Sequence, residues 1–318
     1  GPAPANSPTV TDAESTSPTT IDAAERAAVW VNHDPTSTLP PLMRKWNIID
    51  RANWSTCRRG TDQSADKAIV VAGDRIDIPG YPERPTLIQL AKDPAAPMIV
   101  VFHAFGGCIA NMQKRTDLDA VANERGVSML WLSGKPDPDR TWYPSMDKDA
   151  TYRAHQKDDF EYIDAVFTAL HDHGITPRRV VSVGVSLGAG MAITAACLRP
   201  NWFDGAISVA GWLPLGCQRA PLSVMAFSGG KDPEFGATYG RVITSNWRKN
   251  VVECPTPART KNDGRVISQT WQGCTGGSIV RLVILPDAYH MWPKFTYYDI
   301  DEDILRMALG SFPDDLPK

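Results

Sequence analysis

The pentapeptide Gly184-Val185-Ser186-Leu187-Gly188 separates the apolar run Val180-Val181-Ser182-Val183 from a small-residue segment over 189–198. The run reads as a strand and the segment as a helix, so the chain must turn sharply at the serine. Glycines on both sides of the serine permit a strained strand-to-helix turn that lifts the hydroxyl clear of a sheet. The helix behind it aims its N-terminal N–H groups at any negative charge forming there. This context constrains the fold more than any other feature, because it requires a sheet whose strands are joined by helices.

The rest of the chain agrees with that requirement. Strands are predicted over 68–71, 74–78, 87–90, 98–102, 127–132, 179–183, 205–209, 222–227 and 279–285, with helices over 117–125, 158–171, 189–198 and 299–309. The run Met98-Ile99-Val100-Val101-Phe102 is apolar without alternation, which suits a strand buried on both faces of a parallel sheet. Strands alternating with helices predict an α/β fold with a mostly parallel, doubly wound sheet and helices on both faces. With 318 residues, 42% of them hydrophobic, the chain can build one large core. The expectation is a single domain over 26–318 after a disordered leader over 1–25 rich in Pro, Ala, Ser and Thr, with a short helix over 21–31. Gly1-Pro2 reads as the scar of a cleaved tag, so a native signal peptide is expected to have been removed. A net charge of −3 gives no reason to expect nucleic acid or an anionic membrane as partner. No apolar run approaches the roughly 20 residues of a membrane span.

A serine raised in this way needs a base, and the base needs an acid. In this architecture they follow in the order Ser, Asp or Glu, His. The strand over 222–227 leads into Gly229-Gly230-Lys231-Asp232, and that over 279–285 into Asp287-Ala288-Tyr289-His290. Both loops fall past the C-terminal ends of parallel strands, the edge where active sites of open α/β sheets gather. Ser186, Asp232 and His290 are therefore the candidate nucleophile, acid and base of an α/β-hydrolase fold. Glu234 and Asp287 are the rival acids. The structural alternatives are a serine serving only a tight turn and a surface-loop histidine. The oxyanion of such a reaction needs two donors. The backbone N–H of Leu187 is the first, and His103-Ala104-Phe105-Gly106-Gly107 fills the place of the second, with the N–H of Phe105 as candidate. His103 itself is expected to brace that loop. Of 10 tryptophans, Trp142 and Trp212 follow strands that end on this edge and are candidates for binding substrate, with Tyr143, Phe235 and Tyr239 nearby.

With these residues placed, the chain resembles the secreted esterase family of poly(3-hydroxybutyrate) depolymerases, feruloyl esterases and acetylxylan esterases. The likeness runs from about Met98 to the C-terminus. It is carried by the H-x-x-G-G loop at 103–107, Trp142 ahead of Asp158-Asp159-Phe160-Glu161-Tyr162-Ile163, and Pro177-Arg178-Arg179-Val180 before the serine turn. Val209-Ala210-Gly211, Gly230-Lys231-Asp232-Pro233, Trp271-Gln272-Gly273-Cys274 and His290-Met291-Trp292-Pro293 complete it. Two departures, Ala104 after His103 and Asp287-Ala288-Tyr289 in place of glycines before the histidine, reshape the pocket.

The resemblance implies that Trp292 walls the site beside the base. It also implies a Cys254–Cys274 disulfide ahead of the last strand. Cys197 and Cys217 are then placed to pair, leaving Cys57 for Cys108, with a buried free thiol at Cys197 as the alternative. Further implications are a secreted location, where the Asn53-Trp54-Ser55 sequon would matter, and no metal or cofactor. The activity implied is that of a serine carboxylic-ester hydrolase forming an acyl-enzyme on Ser186. Its ester substrate would be a feruloyl or acetyl ester of polysaccharide, or a short-chain or polyester-type ester. Small esters rank above solid polyester, since no segment resembles a polymer-binding domain. The alternatives are a serine peptidase of the same fold and an inactive carbohydrate- or lipid-binding protein.

Overall fold

The computed structural model describes residues 47–48, 69–70, 73–76, 78–137, 139–146, 149–255 and 257–311. The leader over 1–25, the helix expected over 21–31, Asn53 and Cys57 lie outside the described residues. Ten strands form the main sheet: β1 (Asp74–Ile76), β2 (Thr86–Gln89), β3 (Met98–Phe102), β4 (Ser128–Leu132), β5 (Val180–Val185), β6 (Gly205–Val209), β7 (Ser223–Gly229), β8 (Arg259–Asn262), β9 (Ile267–Cys274) and β10 (Ser278–Leu285). Their spatial order is β8-β9-β10-β7-β6-β5-β3-β4-β2-β1. The six central strands, β4, β3, β5, β6, β7 and β10, are mutually parallel, while β1, β2 and the β8–β9 hairpin add antiparallel edges. The order reverses between β3 and β5, which makes the crevice past their C-terminal ends the natural ligand site.

Alternate residues of each central strand feed opposite faces of the sheet. Val100, Phe102, Leu130 and Ala206 pack with helices α3 (Ala150–Asp172) and α4 (Leu187–Leu198), and with Ile243 of α5 (Ala237–Asn246). Ile99, Val101, Val183 and Met225 pack with α1 (Ile109–Arg115), α2 (Leu118–Glu124) and α6 (Ile300–Leu309). This is the doubly wound arrangement the strand pattern predicts, and the fold class holds.

The differences have local causes. Helix α3 begins at Ala150, not 158, because Asp149 caps it by accepting from the Tyr152 N–H at 2.9 Å; its first turns are polar and carry no apolar stripe. Strand β8 is exposed at all four positions, so it leaves no alternation to read. Helix α1 has seven residues and buries only Ile109 and Met112. Helix α5, which continues into a π turn over Trp247–Val251, is likewise absent from the pattern-based reading.

Cys197 is bonded to Cys217 and Cys254 to Cys274. Each bridge spans 20 residues, worth about 3 kcal/mol in the chain-entropy view. The first ties the C-terminal end of α4 to the loop after β6, so Cys197 is not a free thiol. Cys108 is also disulfide-bonded, and its expected partner, Cys57, lies outside the described residues. Among the described residues no helix is long and apolar enough to cross a membrane.

Candidate active site

Strand β5 runs straight into Ser186, whose backbone sits at φ 55 and ψ −121. Among the described non-glycine residues only Ser186 and Ala210 have positive φ, a conformation that costs about 1–3 kcal/mol and is held by its surroundings. The holding is visible. The Ser186 N–H donates to the Val209 carbonyl at 3.0 Å, and the Ser186 carbonyl accepts from Ala189 and Gly190 at the start of α4. A Cβ at Gly184 would overlap the Gly188 carbonyl, and one at Gly188 would overlap the Phe102 and His103 carbonyls. The two glycines thus let strand, helix and the loop after β3 close against one another, with the serine at the apex.

His290 Nε2 lies 2.8 Å from Ser186 Oγ, and His290 Nδ1 lies 2.9 Å from Asp232 Oδ2. With Nδ1–H donating to Asp232, Nε2 is left as the acceptor for the serine hydroxyl. The other oxygen of Asp232, Oδ1, accepts from the N–H groups of Glu234 (2.8 Å) and Phe235 (2.9 Å). Burial alone would raise the Asp232 carboxyl, but these two N–H donors and His290 together hold it below the usual carboxylate range. The acid and base loops are joined through the backbone. Gly230 N–H donates to the Leu285 carbonyl at 2.9 Å and Lys231 N–H to the Ala288 carbonyl at 3.0 Å. Of the rival acids, Asp287 pairs with Lys231 at 2.8 Å. Glu234 approaches His290 from the other nitrogen, with Oε2 3.7 Å from Nε2. Asp232 alone of the three hydrogen-bonds Nδ1.

The loop after β3 rests on a different foundation. His103 is buried, its Nδ1 2.7 Å from the Ala104 carbonyl and its Nε2 2.9 Å from the Gly134 N–H. These contacts assign the proton to Nδ1, and burial drives the ring down to about 3, so it is neutral at ordinary pH. Trp142 Nε1 donates to the His103 carbonyl at 3.0 Å, and Gly106 N–H donates to the Arg140 carbonyl at 2.8 Å. Below them the buried Arg84 reaches Asp159 at 2.5 Å, Asp158 at 3.2 Å and the Ser133 carbonyl at 3.0 Å, and lies over the Tyr162 ring at 4.1 Å. Phe105, at the tip, is half exposed. Its N–H and that of Leu187, the first residue of α4, have no protein acceptor among the described residues, which leaves both available to a ligand oxygen.

Two expected substrate contacts need correction. Trp142 is 2% exposed and Trp292 4%. Trp142 packs edge-on against Phe102 and braces the His103 carbonyl. Trp292 is held inside by its Nε1 donating to Asp301 at 3.1 Å and packs into the α6 side of the core. Large aromatics near strand ends were pulled inward because each indole N–H has a buried acceptor. Trp212 does remain partly exposed, stacked on Phe235 at 5.0 Å, with Phe235 in turn 5.6 Å from the His290 ring and 5.2 Å from Tyr239. Arg84, Arg140 and Asp159 escaped the sequence reading. Only the Asp158-Asp159 pair lay inside a quoted motif, and nothing local marks Arg84 as its partner. Among the described residues no group of three or more His, Cys, Asp or Glu is placed to hold a metal ion.

No family model matches the chain. A protein named "Putative esterase NocK" from Nocardia uniformis subsp. tsuyamanensis is 30% identical over 142 residues, 43% of this chain and 40% of that protein's length. Among solved structures, an acetyl xylan esterase from Aspergillus awamori superposes with a TM-score of 0.57 at 11% identity, covering 72% of this chain and 94% of the other. A carboxylesterase from Bacillus cereus superposes with a TM-score of 0.51 at 15% identity, covering 71% and 94%.

Proposed function

The fold these comparisons share is the α/β-hydrolase fold, and we propose that on it this chain is a serine carboxylic-ester hydrolase. The observation that carries the reading is the unbroken hydrogen-bonded series Asp232, His290, Ser186, together with the N–H groups of Leu187 and Phe105, which have no protein acceptor among the described residues. In the proposed reaction His290 Nε2 takes the Ser186 hydroxyl proton as Oγ attacks the ester carbonyl. The carbonyl oxygen gains negative charge and is met by the N–H groups of Leu187 and Phe105. His290 then returns the proton to the leaving alcohol, the carbon–oxygen bond breaks, and the acyl group stays on Ser186. Water deprotonated by the same nitrogen releases the acid and restores the serine. Asp232 holds the imidazole tautomer and stabilises the imidazolium between these steps.

Support for an ester rather than an amide substrate comes from the names of the three similar proteins given above, "Putative esterase NocK", an acetyl xylan esterase and a carboxylesterase. The stacked pair Trp212–Phe235 beside His290 favours an apolar or aromatic acyl group. Feruloyl, acetyl and other short-chain esters are the proposed substrates, with polyester-type esters after them. Three pairs of cysteines would suit an oxidising compartment, and secretion is proposed on that ground. The test is hydrolysis of p-nitrophenyl butyrate, methyl ferulate and acetylated xylan by the wild type and by Ser186→Ala. The expected result is turnover of at least one ester that falls about a millionfold in the variant. Retained turnover in Ser186→Ala would refute the reading.

A further inference from the structure

One carboxylate at the site has no role in the reaction proposed above. Glu234 donates its backbone N–H to Asp232, but its side chain turns the other way, placing Oε2 3.7 Å from His290 Nε2. The side chain is 62% exposed, and His290 is its one ion-pair partner among the described residues. Lys231, the nearest cation in sequence, is already paired with Asp287 at 2.8 Å. Ser186 Oγ lies 2.8 Å from the same nitrogen.

That nitrogen fixes the location of the leaving group. When the tetrahedral intermediate collapses, Nε2–H gives its proton to the departing oxygen, which must lie within about 3 Å of it. An oxygen there is no more than about 7 Å from Glu234 Oε2, so substituents one or two bonds along the alcohol come within reach of the carboxylate. The acyl group, by contrast, is directed by its carbonyl toward the N–H groups of Leu187 and Phe105. Glu234 therefore lies within reach of the alcohol half of the substrate.

Resting on the esterase reading, we infer that Glu234 is a specificity-determining residue on the leaving-group side. It favours esters whose alcohol carries a positive charge close to the ester oxygen and disfavours those whose alcohol carries an anion. The partial exposure of the carboxylate makes this a selectivity of moderate size, about threefold for each sign of charge and so about tenfold between the two, and one weakened by salt.

The test fixes the acyl group as butyrate and varies the alcohol: choline, its neutral carbon isostere dimethylbutanol, and an anionic sulfopropanol. The readout is the ratio of kcat/KM for the choline ester to that for the sulfopropyl ester within each protein, so a general loss of rate cancels. In Glu234→Gln the ratio is expected to fall about 10-fold, and in Glu234→Lys about 100-fold. Ratios within twofold of the wild type in both variants would overturn the inference, including the case where Glu234 only tunes His290 and all three esters slow together. The dimethylbutyl ester with Ser186→Ala tests the esterase reading separately. If its hydrolysis depends on Ser186 while the ratios stay flat, only the role of Glu234 fails. If Ser186→Ala still hydrolyses it, both fail.

Discussion

The two halves of the candidate site are built by opposite means. The half made of Ser186, Asp232 and His290 is assembled from tight turns at the ends of β5, β7 and β10, held by backbone hydrogen bonds and glycines at points of close approach. The half made of the 103–107 loop stands on buried side chains, Arg84, Asp159, His103, Arg140 and Trp142, drawn from widely separated parts of the chain. In the proposed reaction the first half places the reacting atoms. The second places only backbone N–H groups, yet a buried ion pair and a buried histidine depend on it. Damage to the first half should therefore appear in rate, and damage to the second first in stability.

The largest effect that would break this contrast is at Asp232. Asp232→Asn is expected to lower kcat by about 10⁴-fold by disturbing the tautomer of His290, with a shift in Tm of no more than a few degrees. Asp287→Asn should leave kcat within a fewfold of the wild type. Parallel kinetics and calorimetry check both, and a large loss at Asp287 with none at Asp232 would reassign the acid. Next comes Arg84→Met, which strands the fully buried Asp159 without its cation. It should destabilise by about 3–5 kcal/mol, seen as a Tm lowered by about 10 °C. Adding Asp159→Asn should recover part of that loss, since the stranded charge is gone.

Asp301 offers a pH-dependent test on the α6 side, outside both halves. Burial raises its carboxyl to about 6, opposed by the N–H of Asp117 and by Trp292 Nε1. A carboxyl raised on folding contributes stability at low pH that is lost as pH climbs from about 4 through about 6, up to about 3 kcal/mol in all. Urea unfolding of the wild type and Asp301→Asn across that window should show the difference between them change with pH, and a constant difference would refute it. The smallest effect is at Trp142→Phe, which deletes the donor to the His103 carbonyl. A loss of about 1 kcal/mol in stability and a fall of severalfold in kcat are expected, with KM for small esters barely changed, because the ring is buried.

The same contrast explains what was legible in the sequence. Gly184, Gly188 and the strand ends around Asp232 and His290 encode local backbone geometry, so neighbouring residues carry the signal and the three side chains come together where the pattern placed them. The central strands were readable because two-sided burial leaves uninterrupted apolar runs such as 98–102. Arg84 and Asp159 meet only through the tertiary fold, and no spacing announces a long-range ion pair. Trp142 and Trp292 were placed in the binding cleft for the same reason. Which way an indole turns depends on acceptors at His103 and Asp301 that the sequence does not bring near. Strand β8 was invisible because none of its four residues is buried.

The central claim is that His290 activates Ser186, and covalent labelling addresses it most directly. The wild type and His290→Ala would be treated with a fluorophosphonate, and the adduct mapped by peptide mass spectrometry. One phosphonyl group on Ser186 is expected in the wild type, with a rate at least about 10³-fold slower in His290→Ala. An unlabelled Ser186, or equal rates in the two proteins, would contradict the account.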